Sequence, residues 1–166
     1  MTTAVFNNRR KRPLFIQDYG SGVVSLRMKQ DATAQATIPN GTNTDVLYVP
    51  NGSLQPDNKT WICPVSGNYM IIFEGEFAAN ATGIREFRVL RNNKILSRDV
   101  RTAVGVSGAT TIRIATVTYL NAGDAIKTQA GQTSGGNLAL TPDSAGDEFG
   151  TRFIVSPVCP LMINGV

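Results

Sequence analysis

The chain has no histidine, only two cysteines (Cys63 and Cys159) and one tryptophan. It also lacks any apolar run approaching the roughly 18 residues of a membrane-spanning helix. Each absence excludes something. Without histidine the commonest general base is gone, and with it the usual Ser/His/Asp and Cys/His arrangements and every His-containing zinc site. The two cysteines are far apart in sequence, no ligand-type residues flank them, and nothing signals an oxidising compartment; two buried free thiols are expected. Charged residues make up only 17% of the chain, too few for a disordered acidic tail. The first residues close on Asn8-Arg9-Arg10-Lys11-Arg12 with no apolar stretch behind the charges, unlike a secretory signal.

What remains is a chain of 166 residues, the length of one domain with a real core. At that size folding removes roughly 70% of the unfolded surface. The formal net charge is +4, from 16 Lys and Arg against 12 Asp and Glu. Arg9, Arg10, Lys11 and Arg12 supply four positive charges, leaving positions 13–166 balanced overall. Residues 1–17 therefore read as a basic N-terminal arm, and 18–166 as one domain.

That domain is a series of short apolar or alternating runs punctuated by turn residues. Leu14-Phe15-Ile16, 23–28, Ile38, 46–49 and Trp61-Ile62-Cys63 come first. In 69–77 the positions 69, 71, 73 and 77 are apolar while Glu74 and Glu76 alternate with them, the period of a strand with one core face. Gly75 falls on the core parity, leaving room for a neighbouring side chain. Residues 87–91, Asn92-Asn93 and 94–96 read as a hairpin with a two-residue turn. Residues 110–120 form a long run that turns at Asn121-Ala122-Gly123-Asp124 and returns as 125–128; Phe149 to Val155 is the last. No segment carries a capped helical stripe, so the fold class is all-β, an antiparallel sandwich or barrel.

Three blocks in order carry a resemblance. Trp61-Ile62-Cys63-Pro64-Val65-Ser66-Gly67-Asn68-Tyr69-Met70-Ile71-Ile72-Phe73 resembles the signature strand of the complement/tumour-necrosis-factor-like jelly rolls. Tyr119-Leu120-Asn121-Ala122-Gly123-Asp124-Ala125-Ile126 is similar to the same superfamily's Gly-Asp hairpin, and Phe149-Gly150-Thr151-Arg152-Phe153-Ile154-Val155 to its closing strand. The stretch Ala36-Thr37-Ile38-Pro39-Asn40-Gly41-Thr42, with Val46 and Tyr48, looks like the lead-in strand of phage and bacterial members, the type found in phage virion proteins. The resemblance implies an antiparallel jelly-roll sandwich over roughly 33–157 and a threefold homotrimer. In it Trp61, Tyr69, Phe73, Tyr119, Phe149 and Phe153 would pack in the core or between protomers. Such heads bind and assemble; they are not enzymes.

Motifs that would carry further chemistry are accounted for by ordinary β-structure. Residues 131–137 lack the Lys-Ser/Thr of a phosphate loop and read as a surface loop. Glu74 and Glu76 read as a solvated strand face, and Asp143, Asp147 and Glu148 as an acidic loop without EF-hand spacing. The sequons at Asn40, Asn51, Asn58 and Asn80 read as turn sequence. No metal or cofactor is expected. The basic arm fits any of three roles: a solvated terminus, a nucleic-acid contact, or docking on an acidic protein surface. The neutral body weighs against nucleic acid, and no membrane contact is expected.

The resulting expectation is a bacteriophage virion structural protein: a trimeric capsid decoration, or cement, protein. Arg9, Arg10, Lys11 and Arg12 would grip the major capsid protein on the outer surface. The alternatives are the receptor-binding head of a tail fibre or spike, presenting loops 51–58, 102–108 and 131–147, and a secreted complement-like binding module.

Overall fold

A computed structural model describes residues 26–50, 54–105, 108–142 and 150–158. Among them the regular elements are all strands. β1 (Leu26–Lys29), β11 (Arg152–Pro157), β5 (Gly67–Phe77) and β8 (Thr110–Leu120) make a four-stranded sheet in that order, here the inner sheet. β3 (Asn43–Asp45), β9 (Ala125–Gln132), β6 (Ile84–Arg91) and β7 (Lys94–Thr102) make the outer sheet, with β4 (Trp61–Ile62) also pairing with β9. β2 (Thr37–Ile38) and β10 (Leu138–Ala139) form a short ribbon. All named strand pairs are antiparallel, and the two sheets pack face to face as a jelly-roll sandwich.

The period-2 pattern of β5 does what the sequence suggests. Tyr69, Ile71, Phe73 and Phe77 point inward and are buried. Phe73 stacks on Phe87 of β6 at a centroid distance of 4.1 Å, and Phe77 tilts against the same ring at 5.3 Å. Burying each such ring stabilises the fold by about 1.5–3 kcal/mol. Ile112 and Ile114 of β8, Val89 of β6 and Ile126 of β9 complete the middle, and Trp61 meets Tyr69 edge-on at 5.6 Å. Gly75 is forced by close approach: a Cβ there would stand 2.5 Å from Thr151 Oγ1 and 2.9 Å from Thr151 Cβ. The space left by the missing side chain is filled by that threonine.

Asn92 (φ 51°) and Asn93 (φ 63°) both take the left-handed conformation that a two-residue turn between right-twisted strands demands. The hairpin is longer than its sequence suggested. β7 runs to Thr102, because exposed polar residues fill an edge strand as readily as apolar ones. Residues 46–49, expected as a strand, are not one. The chain pairs regularly at β3 instead, and Tyr48 keeps a single bridge to Gln30 while its hydroxyl meets that of Thr128 inside the core. A wholly buried tyrosine needs that partner, and burial drives its pKa up.

Candidate assembly face

Alternation along β5, β8, β11 and β1 sends every second side chain to the outward face of the inner sheet, and the register lines these residues up in rows. Asn68 lies opposite Tyr119 in one row, and Ser156, Met70 and Val117 run across the next. Arg27, Ile154, Ile72 and Ala115 form a third. These rows make an apolar half-face on which Val117 is 63%, Tyr119 54% and Met70 36% exposed. Below it the row Lys29, Arg152, Glu74, Arg113 is charged. Glu74 holds Arg152 at 2.5 Å and Arg113 at 3.2 Å, so it is neither an unengaged carboxylate nor a partner for Glu76, which accepts from Thr111 and Thr141.

The strand that borders this face is unguarded. β8 is an edge among the described residues, eleven residues long, with Arg113 its only charge and neither proline nor bulge. Long flat edges of that kind pair with other chains unless something covers them.

The other outward face contrasts with it. Row by row the outer sheet carries Asp45, Gln129, Arg88 and Arg98, then Asn43, Gly131, Glu86 and Val100. Glu86 receives Arg88 through two hydrogen bonds of 2.7 and 3.0 Å and also pairs with Arg98 at 3.2 Å. Lys59 meets Asp45 at 3.0 Å. Burial alone would raise the Asp45 pKa, but the Gln129 hydrogen bond and Lys59 outweigh it and hold the carboxyl below its ordinary value.

The aromatic residues singled out from sequence separate cleanly. Trp61, Tyr69, Phe73 and Phe153 are core residues, each at most 3% exposed, whereas Tyr119 stands on the assembly face. Phe149, the basic arm, Cys159, the run 14–16 and the acids 143, 147 and 148 lie outside the described residues. Cys63 is buried and unpaired, and burial raises its thiol pKa. Met70, Val117 and Ile154 were missed because alternation marks them only as facing away from the core. Their convergence needs the register of three strands.

The loops expected to act together do so only in part. Residues 78–83, 103–105 and 133–137 gather at one end, joined by Ala103 N–H to Gly83 O (3.0 Å) and Thr133 N–H to Ile84 O (3.1 Å). Arg85, wholly buried, braces that end by donating to the carbonyls of Asn80, Thr82 and Ile84. Residues 54–58 lie elsewhere, beside the β3–β9 edge, where Tyr48 N–H donates to Asn58 O. Asn80 accepts from Thr82 N–H and Asn58 sits at φ 55°, both turn roles, while Asn40 accepts from Gly135 N–H and ties its turn to the 133–137 loop. In the 133–137 loop Ser134 and Gln132 bond the loop's own backbone rather than leaving a phosphate cradle.

Sheet order and strand pairing define a tumour-necrosis-factor-like jelly roll. Solved structures bear this out. Murine APRIL at pH 8.0 superposes with a TM-score of 0.59 at 17% identity, covering 82% of this chain and all (100%) of that one. Eiger TNF from S. frugiperda does so at 0.60 and 9% identity, covering 87% and 98%. At such identities the likeness is one of fold. No protein-family model matches the sequence, and no curated protein is similar to it at sequence level.

Proposed function

We propose that this chain is a non-enzymatic virion structural protein, a homotrimer that decorates the outer surface of a phage capsid and stabilises it. The observation that carries the assembly part is the exposed apolar strip of Met70, Ala115, Val117 and Tyr119, floored by buried Ile72 and half-buried Ile154, beside the unguarded edge of β8. Contiguous exposed apolar surface of this kind marks an interaction site. Closing three copies around an axis would cover face and edge together, since a heterologous contact that closes makes a ring. The arm carries the capsid part. Arg9, Arg10, Lys11 and Arg12 form a concentrated charge ahead of a balanced body, suited to carboxylates on capsid subunits. Three arms on one trimer turn weak contacts into avidity. The reading includes no cofactor, nucleic acid or membrane.

Two measurements test it. Sedimentation should give three times the chain mass. Counting the protein in purified virions should give hundreds of copies; its absence from virions would overturn the proposal. A few dozen copies or fewer, at the tail, would favour a receptor-binding head, for which the braced cluster of loops 78–83, 103–105 and 133–137 is the supporting feature. Deleting residues 2–12 should weaken binding to empty capsids and flatten its salt dependence.

A further inference from the structure

The balance of charge over residues 13–166 hides an uneven distribution. Between Ile84 and Thr102 the chain carries Arg85, Arg88, Arg91, Lys94, Arg98 and Arg101 against only Glu86 and Asp99. Everywhere else in 13–166 acids outnumber bases. The hairpin register then sets these cations opposite one another: Arg85 faces Arg101, Arg88 faces Arg98, and Arg91 faces Lys94. Like charges directly opposite across an antiparallel pair cost stability. Guarding an edge accounts for cations on β7, but β6 lies between β9 and β7 and needs no guard. On β6 each cation is engaged, Arg85 on loop carbonyls, Arg88 on Glu86 and Arg91 on Asp124, so the cations turned to solvent are those of β7.

The carboxylates within reach do not neutralise them. Glu86 is shared by Arg88 and Arg98, Asp99 pairs with Arg101, and Asp124 takes Arg91. Lys94 is exposed at the turn with no carboxylate paired to it among the described residues, and the Arg98 and Arg101 side chains are 54% and 55% exposed. Beside them Ile95 and Val100 are 50% and 37% exposed. Among the described residues β7 is hydrogen-bonded along its length to β6 alone, with β8 of the other sheet packed nearby, which leaves its outer edge with main-chain donors and acceptors to offer.

We propose that β7 is a docking edge for an acidic, extended segment of a partner protein. The segment adds as a further strand along Lys94–Thr102, a span of about 30 Å at roughly 3.3 Å per residue. Carboxylates on its two sides meet Arg98 on the outward face and Arg101 on the opposite one, and apolar side chains on the outward face cover Ile95 and Val100. A nucleic acid fits less well: stacking needs exposed rings, and the hairpin's one aromatic, Phe87, is wholly buried. This surface belongs to the outer sheet and does not rest on the virion reading.

The test uses the full chain in three forms: unaltered, with Arg98→Gln and Arg101→Gln, and with all four arm cations changed to Gln. The probes are a labelled peptide of repeating Glu-Val-Val-Glu, which sets glutamates opposite both arginines and valine opposite Val100, and a labelled thymidine oligonucleotide. Peptide affinity should fall about tenfold in the hairpin variant and stay unchanged in the arm variant. Bound peptide should also slow amide exchange along β7. Three results would each overturn the proposal: no peptide binding, or binding that survives the hairpin changes; tighter capture of the oligonucleotide through the same arginines; or loss of self-assembly in the hairpin variant, which would make β7 a contact between copies of this chain.

Discussion

The two outward faces of this sandwich are built by the same alternation and end up chemically opposite. On the inner sheet the residues turned away from the core include Met70, Ile72, Val117, Tyr119 and Ile154; on the outer sheet they include Asp45, Glu86, Arg88, Arg98 and Gln129. Their edges differ in the same sense. β8 carries one charge in eleven residues, and β7 carries Lys94, Arg98, Asp99 and Arg101 in nine. A period-2 pattern says only that a strand has two sides. What lies on the second side decides whether it meets water or another chain.

The sharpest way to break that contrast is to charge the apolar face. Changing Met70 and Val117 to Glu should abolish self-assembly, because the register sets the two side by side and like charges there would have to be desolvated together. Both side chains are exposed in the single chain, so folding should survive. Sedimentation should show monomer, and circular dichroism an unchanged sheet spectrum. The same change at Val100, on the outer face, should leave assembly intact. A Met70/Val117 variant that still assembles would remove the inner sheet from the interface.

A second prediction concerns the corner where the faces are tied together. Asp124, in the turn between β8 and β9, accepts hydrogen bonds from the Asn92 amide (2.7 Å) and the Asn121 backbone (2.7 Å) and pairs with Arg91 (2.7 Å). The Asn92 hydrogen bond leads, and with the other two it lowers the carboxyl pKa. A lowered folded-state pKa contributes stability that is fully present above the unfolded value of about 3.9 and disappears as pH falls through the folded value. Asp124→Ala should therefore cost about 2–3 kcal/mol at neutral pH. The gap between variant and parent should narrow as acid is added below about pH 4, as denaturant melts at a series of pH values would show.

How much of the molecule is legible in its sequence divides along physical lines. Strands with strict alternation or a turn that demands positive φ were readable: β5, the Asn92-Asn93 hairpin, and the β8–β9 return. The close fit behind Gly75 was readable too, because a glycine on the core parity of a strand leaves a gap that a neighbouring side chain must fill. Residues 46–49 misled because apolar content alone does not separate a paired strand from a core-facing crossing segment; Tyr48 is buried either way. Of the assembly face only Tyr119 was legible. Met70, Val117 and Ile154 are distant in sequence and meet only through register, which long-range pairing sets. The cationic pairing of β6 and β7 escaped for a different reason: a balanced total conceals opposed arginines until the strands are laid side by side.

The finest test compares Glu74 and Glu86, the carboxylates that each bridge two arginines, one on either face. Both side chains are largely shielded, at 15% and 8% exposure, and each links a well-packed arginine to an exposed one. In the isolated chain Glu74→Gln and Glu86→Gln should cost a similar amount, about 1–2 kcal/mol, from weakened charge-assisted hydrogen bonds. Their surroundings then separate them. Glu86→Gln leaves Arg88 facing Arg98 without a shared counter-charge, a repulsion that added salt screens, so part of its loss should be recovered at high ionic strength. Glu74 borders the apolar rows, where a second copy would cover it. Its loss would leave Arg152 and Arg113 poorly paired inside a contact, and breaking a buried pair costs more than breaking an exposed one. Glu74→Gln should therefore shift self-assembly to higher protein concentration, with little recovery in salt, while Glu86→Gln should leave the assembly midpoint unchanged, as sedimentation over a concentration series would show. Equal assembly midpoints in the two variants would mean that the apolar face is no nearer a partner than the charged one, and the contrast between them would then be one of composition alone.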